Sequence, residues 1–344
     1  MKLLVASECG EGLGLATHLS SEGHAVNFLC QPEFSLGQGI VSSNPTDTAA
    51  DIFVFDSSMF TTQADSMRSS GTRVLGASSW EGLLSSNTEY ANDIIKVTGW
   101  ETTDSCKGIN LYITVWFNGM NHIAVYTSLV YRRFMSGGRG PDVNFTGVVS
   151  QFRQPTDRLL STFIQPLMPV LRRVNHRGCF NIHALIAEEK ASVKHINASF
   201  SHPLSLMLYE NSRSSVSDIL VRLFAEDSKP IAFIDPWAAG VMVSVPPFPY
   251  DVASTETNLR GIQPANLKHL WLVDAKKDNG TWTTAGLHGK IGYVTARGCS
   301  VSEATRRVYR TIRNLEIRDL QYRDDVGRNI HDILSTLQRN GWTR

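Results

Sequence analysis

Two histidines near the end of one predicted strand have the chemistry to move a proton. His195 and His202 lie on either side of Asn197. An imidazole changes its protonation state near neutral pH, so either ring can act as a general acid or base. The alternative is that both are structural histidines at a strand end, with their ring nitrogens bonded to neighbouring groups. We take His195 and His202 as the candidate catalytic residues.

Arg132 and Arg133 precede a glycine-rich segment, residues 135–142. Adjacent residues of a strand point to opposite faces, so one of the two arginines points inward, where a guanidinium usually binds an anion. Glycines also let backbone N–H groups approach a carboxylate closely. We predict that an inward arginine and this segment position the carboxylate of a small substrate. The candidate binding residues of the segment are Gly138, Gly140 and Asp142.

Positive charge accumulates near the C-terminal end of a chain that is almost neutral overall. A net charge of +1 argues against a general electrostatic grip on nucleic acid, which requires a large excess of Lys and Arg. A local basic face is still possible, because arginine is frequent after Glu303. We predict that Arg306, Arg307 and Arg310 contact DNA phosphates; the alternative is a solvated helix face.

The elements that hold these residues fall into three predicted units. Residues 1–100 are predicted to form an open α/β domain. Its pattern indicates strands over 2–6, 24–29, 51–55 and 73–76, a glycine turn over 10–14 that packs a helix closely, and a helix over 86–98. Residues 101–235 form the central unit, with strands over 110–117 and 122–129, a helix over 156–175, and a hairpin over 179–187 and 191–196.

Residues 236–344 are predicted to form an α+β unit. Its strands lie near 240–245, 269–273 and 291–295, and its closing helix over 302–314 is opened by Ser302.

Cysteine usage and hydropathy bear on the compartment. The five cysteines are scattered and contain no C-x-x-C pair, which favours a reducing, cytoplasmic setting over a disulfide framework or a zinc site. No stretch approaches the length of a membrane span, so no membrane partner is expected. The chain has no Walker loop and no H-E-x-x-H motif, so P-loop and zincin chemistry lack support.

Short motifs occur in a fixed order along most of the chain. They are Met1-Lys2-Leu3-Leu4-Val5, Tyr131-Arg132-Arg133, Gly140-Pro141-Asp142, Val193 to Phe200, Gly292 to Gly298 and Gln321 to Gly327. The ordered set resembles glycinamide ribonucleotide synthetase, an ATP-grasp ligase that joins glycine to a phosphorylated sugar. The resemblance implies an ATP-grasp ligase-like α/β architecture with an α+β C-terminal part.

The chain departs from this family where the family clamps its nucleotide. The family has a lid subdomain between the helix at about 86–98 and the strand at about 110. Here only some ten residues, around 101–107, occupy that interval, which is too few for a β-rich lid. We therefore do not expect ATP as a cofactor.

The metal site of the family is also altered. The resemblance implies a carboxylate and an Asn on one strand as magnesium ligands, and the matching positions are His195 and Asn197. Imidazole is a poor ligand for Mg²⁺, which prefers oxygen. A weakened Mg²⁺ site at Asn197 is the most that is expected.

The third departure is at the first turn, where the family anchors a sugar phosphate with an arginine. This chain has Glu11 instead, although Lys290 stands where the resemblance implies another phosphate-contacting arginine. Lys290 is therefore a candidate phosphate ligand, acting as a point charge, and Arg297 is a second basic candidate farther along the same segment.

These departures favour an enzyme that keeps glycine as its nucleophile and receives an acceptor that is already phosphorylated. Such an enzyme is similar to bacteriophage enzymes that hypermodify thymidine, in which an amino acid attacks a phosphorylated 5-hydroxymethyluracil in DNA. The expected partners are glycine and a phosphorylated DNA base. Two alternatives stay open: a true glycinamide ribonucleotide synthetase with an unusual lid, and a noncatalytic relative.

Overall fold

The computed structural model describes most of the chain. The described residues are 1–30, 35–43, 49–86, 88–102, 107–188, 190–198, 203–226, 229–250, 252–328 and 330–344. The predicted catalytic residue His202 lies outside them.

The N-terminal part is a parallel sheet, as predicted. Its strands, in chain order, are β1 (Lys2–Ser7), β2 (Ala25–Cys30), β3 (Ser42–Ser43), β4 (Ile52–Phe55) and β5 (Val74–Leu75), arranged β3-β2-β1-β4-β5. The helices of this part are α1 (Leu13–Ser21), α2 (Thr61–Ser69), α3 (Ser79–Ser86) and α4 (Thr88–Thr98), and a 3₁₀ turn covers Ser58–Phe60.

The prediction that glycines in the first turn allow close packing is confirmed. A Cβ at Gly10, where φ is +81°, would lie 2.6 Å from the carbonyl oxygen of Val273. A Cβ at Gly14 would lie 3.0 Å from the backbone of Trp271. Neither contact leaves room for a side chain, so these glycines let α1 lie directly against the C-terminal part of the chain.

Eight strands of the described chain form a second, larger sheet. They are β6 (Ile109–Asn118), β7 (His122–Met135), β8 (Arg139–Gln151), β9 (Arg177–Ala187), β10 (Lys190–Asn197), β11 (Trp237–Ser244), β13 (Leu270–Leu272) and β16 (Lys290–Gly298). Their order is β10-β9-β6-β7-β8-β11-β16-β13, and neighbouring strands run antiparallel. The strands of residues 109–197 and of residues 237–298 thus share one sheet, because β8 pairs directly with β11.

The remaining elements flank this sheet. The helices are α5 (Asp157–Leu159), α6 (Gln165–Arg173), α7 (Leu204–Asn211), α8 (Val216–Arg222), α9 (Pro264–Leu267), α10 (Val301–Arg313) and α11 (Ile330–Arg339). Two short ribbons pair β12 (Leu259–Arg260) with β17 (Glu316–Ile317), and β14 (Lys276–Asp278) with β15 (Thr281–Thr283). Among the described helices, none has the length and apolar character needed to cross a bilayer.

One local prediction is confirmed and two needed correction. The helix predicted over 156–175 is present as contiguous helical segments over 157–173, with a π-helical turn, Leu160–Ile164, between α5 and α6. The glycine-rich segment forms a shorter loop than predicted, a 3₁₀ turn over Ser136–Gly138 in the long hairpin of β7 and β8. Ser300, not Ser302, caps α10: its hydroxyl accepts a hydrogen bond from the Glu303 N–H, while the Glu303 carboxylate accepts one from the Cys299 N–H.

Candidate active site

The register of the large sheet brings a histidine from each of two strands onto one face. His195 on β10 lies opposite His183 on β9, and His183 lies opposite Tyr112 on β6. Residues paired across neighbouring strands project from the same side of a sheet, so these three rings share a face. The candidate base predicted from sequence therefore has a second imidazole beside it, and a phenol lies one strand farther along the same row.

The His183 ring is held tightly in this group. It stacks on Tyr112 with ring centroids 4.3 Å apart and an interplanar angle of 13°. Its Nε2 atom lies 2.8 Å from the Oδ1 atom of Asn110. Burial lowers the pKa of His183 to about 4, and the nearby charges of Lys194 and Arg132 contribute in the same direction. His183 is therefore a neutral ring at pH 7.

His195 is more exposed than His183, and the positive charge of Arg132 acts on both rings. Burial lowers the pKa of His195 below its usual value, and the Arg132 guanidinium adds to this effect. The residue is otherwise exposed at the edge strand β10. A neutral and accessible imidazole is the form that can accept a proton.

Arg132 is the inward arginine of the pair. Its Nε–H donates to the Asp142 carboxylate at 2.9 Å, and that ion pair is about two-fifths exposed. Its Nη1 group lies 3.4 Å from the Tyr112 hydroxyl, and its Nη2 group lies 3.4 Å from the Asn144 Oδ1 atom. Both of these are long for hydrogen bonds, so Asp142 orients the guanidinium while its two terminal nitrogens stay weakly bonded.

Arg133 and the glycine turn have different roles from Arg132. Arg133 is exposed and donates from Nη1 to the carbonyl oxygen of Gly140 at 2.9 Å. The N–H of Gly137 donates to the Asp325 carboxylate at 2.8 Å, so this N–H is already bonded within the protein. Gly138 is exposed, with open space where a Cβ would lie. The turn is thus anchored to the C-terminal part of the chain.

The donor set at the predicted metal position does not suit Mg²⁺. Asn197 lies opposite Asn181 on β9, so the described strand offers imidazole and amide groups. Within the described residues, no group of three or more His, Cys, Asp and Glu side chains is arranged to hold a metal ion. Because Mg²⁺ prefers carboxylate and water oxygens in octahedral geometry, we derive no step through a metal.

Lys290, the predicted phosphate ligand, already forms an ion pair with an acidic residue of the protein. Its ammonium pairs with the Glu11 carboxylate and lies 5.0 Å from the centre of the Tyr293 ring, with its side chain only 14% exposed. Burial alone lowers the pKa of Lys290, and the adjacent Glu11 charge more than offsets this, so that pKa ends above its usual value. The lysine is charged, but its charge is already balanced.

The surroundings of this pair are acidic. Asp56 accepts hydrogen bonds from the Ser7 hydroxyl and from the Glu8 N–H. Burial raises the pKa of Asp56 to about 7, and the charge of Glu11 raises it as well. Carboxyl groups clustered at the carboxyl end of β1 repel a phosphate rather than attract one.

Arg297 lies at the opposite end of β16 from Lys290. They are seven residue-to-residue steps apart along the strand, a distance of about 23 Å. Its Nη1 atom donates to the backbone oxygen of Glu210 at 3.1 Å, and its Nε atom lies 3.3 Å from the Asp235 carboxylate. Arg297 therefore does not share a site with Lys290 or Arg132.

Tyr112 and His183 were not predicted from the sequence as residues of the site. Both lie on strands that the sequence did predict, and each is a polar or aromatic residue at an alternating position. The signal was present in that alternation, but the pairing partner of each strand was needed to bring the two rings together.

Comparisons with known proteins agree with this architecture. No family model matches the chain. The phosphoribosylamine–glycine ligase of Clostridium acetobutylicum, an enzyme also called glycinamide ribonucleotide synthetase, is 22% identical over 249 residues, which are 69% of this chain and 58% of the relative. The same enzyme of Streptomyces coelicolor is 23% identical over 209 residues, 57% of this chain and 50% of the relative. The chain is homologous to these ligases. It spans about half the length of the curated relatives it matches.

Solved structures show the same fold. The phosphoribosylamine–glycine ligase of Thermotoga maritima superposes with a TM-score of 0.75 at 14% identity, covering 95% of this chain and all of that one. The N5-carboxyaminoimidazole ribonucleotide synthetase of the same organism gives a TM-score of 0.58 at 11% identity, covering 92% of this chain and 99% of that one. The predicted ATP-grasp ligase-like fold is confirmed.

Proposed function

We propose that this protein transfers glycine, through its amine, to a phosphorylated 5-hydroxymethyluracil in DNA. The observation that carries the proposal is the sheet face on which Arg132, with two weakly bonded terminal nitrogens, is near enough to His183 and His195 for its charge to lower the pKa of each. This combination suits a substrate that has a carboxylate at one end and an amine to be deprotonated at the other. Glycine is such a substrate, and both curated relatives are glycine ligases.

Arg132 binds the glycine carboxylate in this proposal. A guanidinium and a carboxylate form charge-assisted hydrogen bonds, and two parallel bonds also fix orientation. The Nε–H of Arg132 stays on Asp142, so the terminal nitrogens face the substrate. The stacked pair of Tyr112 and His183 forms a rigid wall beside it.

His195 accepts the proton of the reacting amine. The lone pair of the glycine nitrogen forms a bond to the methylene carbon of the acceptor, and the bond from that carbon to the phosphate oxygen breaks. The electron pair of the broken bond leaves with the phosphate or pyrophosphate, while the proton lost by nitrogen goes to the neutral imidazole. The reaction needs neither oxidant nor reductant.

An acceptor that arrives phosphorylated is consistent with two features of the chain. Residues 99–108 are all that lie between α4 and β6, where the resemblance implies a nucleotide-clamping lid. His195 stands where the resemblance implies a carboxylate ligand for Mg²⁺. Both features favour a reaction in which the leaving group was installed by another enzyme.

A second candidate is an ATP-dependent glycine ligase that acts on a phosphorylated sugar amine. The homology with phosphoribosylamine–glycine ligases and the TM-score of 0.75 favour it. The closed pair of Lys290 and Glu11 weighs against it, because Lys290 is then not open to a sugar phosphate at the first turn.

Single-turnover incorporation of labelled glycine separates the two candidates. Purified protein is mixed with glycine and DNA bearing phosphorylated 5-hydroxymethyluracil, in the presence of EDTA and without ATP. We expect incorporation of glycine, and roughly ten- to a hundredfold slower incorporation of alanine, whose extra methyl overpacks a fitted site. No incorporation of glycine, or equal rates for the two amino acids, contradicts the proposal.

Calorimetry with ATP and Mg²⁺ gives an independent measurement. We expect no binding in the micromolar range, which corresponds to about 8 kcal/mol of binding free energy. Micromolar ATP binding, together with turnover of phosphoribosylamine and glycine, establishes the ligase instead.

A further inference from the structure

A cavity of about 960 Å³ lies at the far end of β16 from Lys290. We call it the α10 groove, because α10 forms one wall. The basic residues that line it are Lys268, Arg297, Arg306, Arg307, Arg310 and Arg313.

Most of this positive charge is not balanced within the protein. Two carboxylates line the groove, and each has a partner: Glu303 lies 2.7 Å from Arg307, and Glu210 lies 3.6 Å from Arg297 and 3.0 Å from His269. In the described part of the chain, no ion pair is formed by the four other cations. These four are Lys268, Arg306, Arg310 and Arg313.

The spacing along α10 makes a continuous basic stripe. Arg306, Arg310 and Arg313 follow one another at four and three residues, which places them on one side of a helix. Like charges at this spacing destabilise a helix modestly. The helix dipole favours Arg310 and Arg313 near the C-terminal end but does not account for Arg306 or for Lys268, which is on another element. A bound polyanion accounts for all four.

The shape of the charge distribution favours a chain of phosphates over a single one. Along the helix axis the step from Arg306 to Arg310 is about 6 Å, and the step from Arg310 to Arg313 is about 4.5 Å. One nucleic-acid strand carries a phosphate about every 3.4 Å along its axis. The cations are therefore spread over several phosphates of one strand.

The tryptophan and the tyrosine that line the groove, Trp271 and Tyr209, are both buried and not available for stacking on bases. The Trp271 ring is covered by His18, with ring centroids 3.7 Å apart and an interplanar angle of 5°, and Tyr209 packs against Trp271 with ring centroids 5.5 Å apart. Recognition in the groove therefore rests on phosphates, which carry no sequence information.

We propose that the α10 groove binds the phosphate backbone of DNA. The choice of DNA over other polyanions rests on the proposed function, in which the acceptor is a base in DNA. The groove then supplies affinity without sequence preference, while the sheet face supplies the chemistry.

The sheet itself gives the distance between the two regions. One row of paired residues crosses it through seven strands: His195, His183, Tyr112, Ser128, Ser150, Ala238 and Arg297. Six strand-to-strand steps of about 4.8 Å give a path of about 29 Å along the sheet, and the twist of the sheet makes the straight-line distance from His195 to Arg297 shorter than this. At about 3.4 Å per base pair, DNA that extends about nine base pairs beyond the reacting base is long enough to reach both.

The test measures DNA binding as a function of salt, without catalysis. The probe is an unmodified duplex of about 30 base pairs, long enough to span both regions, which carries no phosphorylated base and cannot react. The groove variant replaces Arg306, Arg310 and Arg313 with Gln; the control variant replaces the exposed Lys96, Arg173 and Arg318 with Gln and removes the same charge elsewhere. Lys268→Gln is a second variant outside the helix, and thermal unfolding checks that each protein is folded.

We expect the slope of log affinity against log salt to fall by roughly 2.7 in the groove variant, roughly 0.9 in Lys268→Gln, and little in the control. Equal changes in the groove and control variants, or an unchanged slope in both groove variants, overturn the inference. Displacement of the duplex by an equal concentration of tripolyphosphate assigns the groove to a small anion and also overturns it. Groove-dependent binding without glycine transfer to phosphorylated DNA contradicts only the proposed function.

Discussion

The sequence predicts that Arg132 and Lys290 each bind an anionic group of the substrate. In the structure the two cations differ in how far their own carboxylate partners leave them available. Arg132 is half-buried on the sheet face, and its partner Asp142 leaves two terminal nitrogens with contacts of 3.4 Å. Lys290 is largely covered at the junction with the N-terminal sheet, and its charge is neutralised by Glu11. Of these two cations, Arg132 is the one with hydrogen-bonding capacity left for a ligand.

The difference shows that the availability of a cation depends on its partner and not on its type. Glu11 comes from the first turn of the chain and Lys290 from β16, so their pairing depends on how α1 packs against the C-terminal part. The carboxyl group of Asp56 is close enough to Glu11 for the Glu11 charge to contribute to the raised pKa of Asp56. The first turn, where the resemblance implies a phosphate anchor, serves here as a structural contact.

The largest expected effect is a loss in the free energy of unfolding when the ion pair of Lys290 and Glu11 is broken. Lys290→Met leaves Glu11 without its counter-charge, and removal of one partner of a buried pair costs about 3 to 5 kcal/mol; the partial exposure of Glu11 places the loss near 3 kcal/mol. Urea denaturation measures the free energy of unfolding.

The matched control is Lys96→Met, in an exposed pair with Asp93, where the change should stay within about 0.5 kcal/mol. The double variant Glu11→Gln/Lys290→Met should recover most of the loss. A stable Lys290→Met protein with impaired turnover shows instead that the lysine acts on the substrate and that the contrast with Arg132 is wrong.

The second effect is on turnover, through His195. Loss of a general base lowers the rate typically about 10²- to 10⁴-fold, and we expect about a hundredfold for His195→Gln, because the ring is exposed enough for water to take over part of its role. Single-turnover glycine transfer near pH 7.5 measures it, with the exposed His331→Gln as control.

The pH dependence of kcat/KM tests whether the neutral form of His195 is the reactive one. Burial places the pKa of His195 below its usual value, so the neutral, proton-accepting form persists as pH falls to about 6.5 and is lost only below that. The wild-type kcat/KM should therefore be flat from about pH 8 to about 6.5 and then fall. An acid limb that persists unchanged in His195→Gln assigns the proton to another group.

The smallest expected effect sharpens the contrast between the adjacent arginines. Arg132→Ala should raise the KM for glycine roughly ten- to a hundredfold, since a hydrogen bond to a charged group contributes about 1.5 to 3 kcal/mol. Arg132→Lys keeps the charge without the fork and should fall between the wild type and Arg132→Ala. Arg133→Ala should change the KM less than about twofold, because that side chain is exposed and bonds to Gly140. Equal effects of the two alanine variants remove Arg132 from its proposed role.

The sequence by itself determined the elements and much of the candidate chemistry. Short apolar runs marked four strands of the first sheet, and alternating residues marked several strands of the second, although β8 was not predicted. The hairpin of β9 and β10 appeared within about two residues of its observed bounds. These signals are local, because strand alternation and turn residues act over a few positions of the chain. The same local pattern indicated that one of Arg132 and Arg133 points inward, without saying which.

The tertiary structure decided everything that depends on residues far apart in the chain. It placed His183 and Tyr112 beside His195 through cross-strand register, closed Lys290 with Glu11, and carried Arg297 into the α10 groove. It also joined β8 to β11, so that residues 109–197 and 237–298 share a sheet. Strand order, register and the burial of charge are set by packing across the whole molecule, and no local run of sequence encodes them.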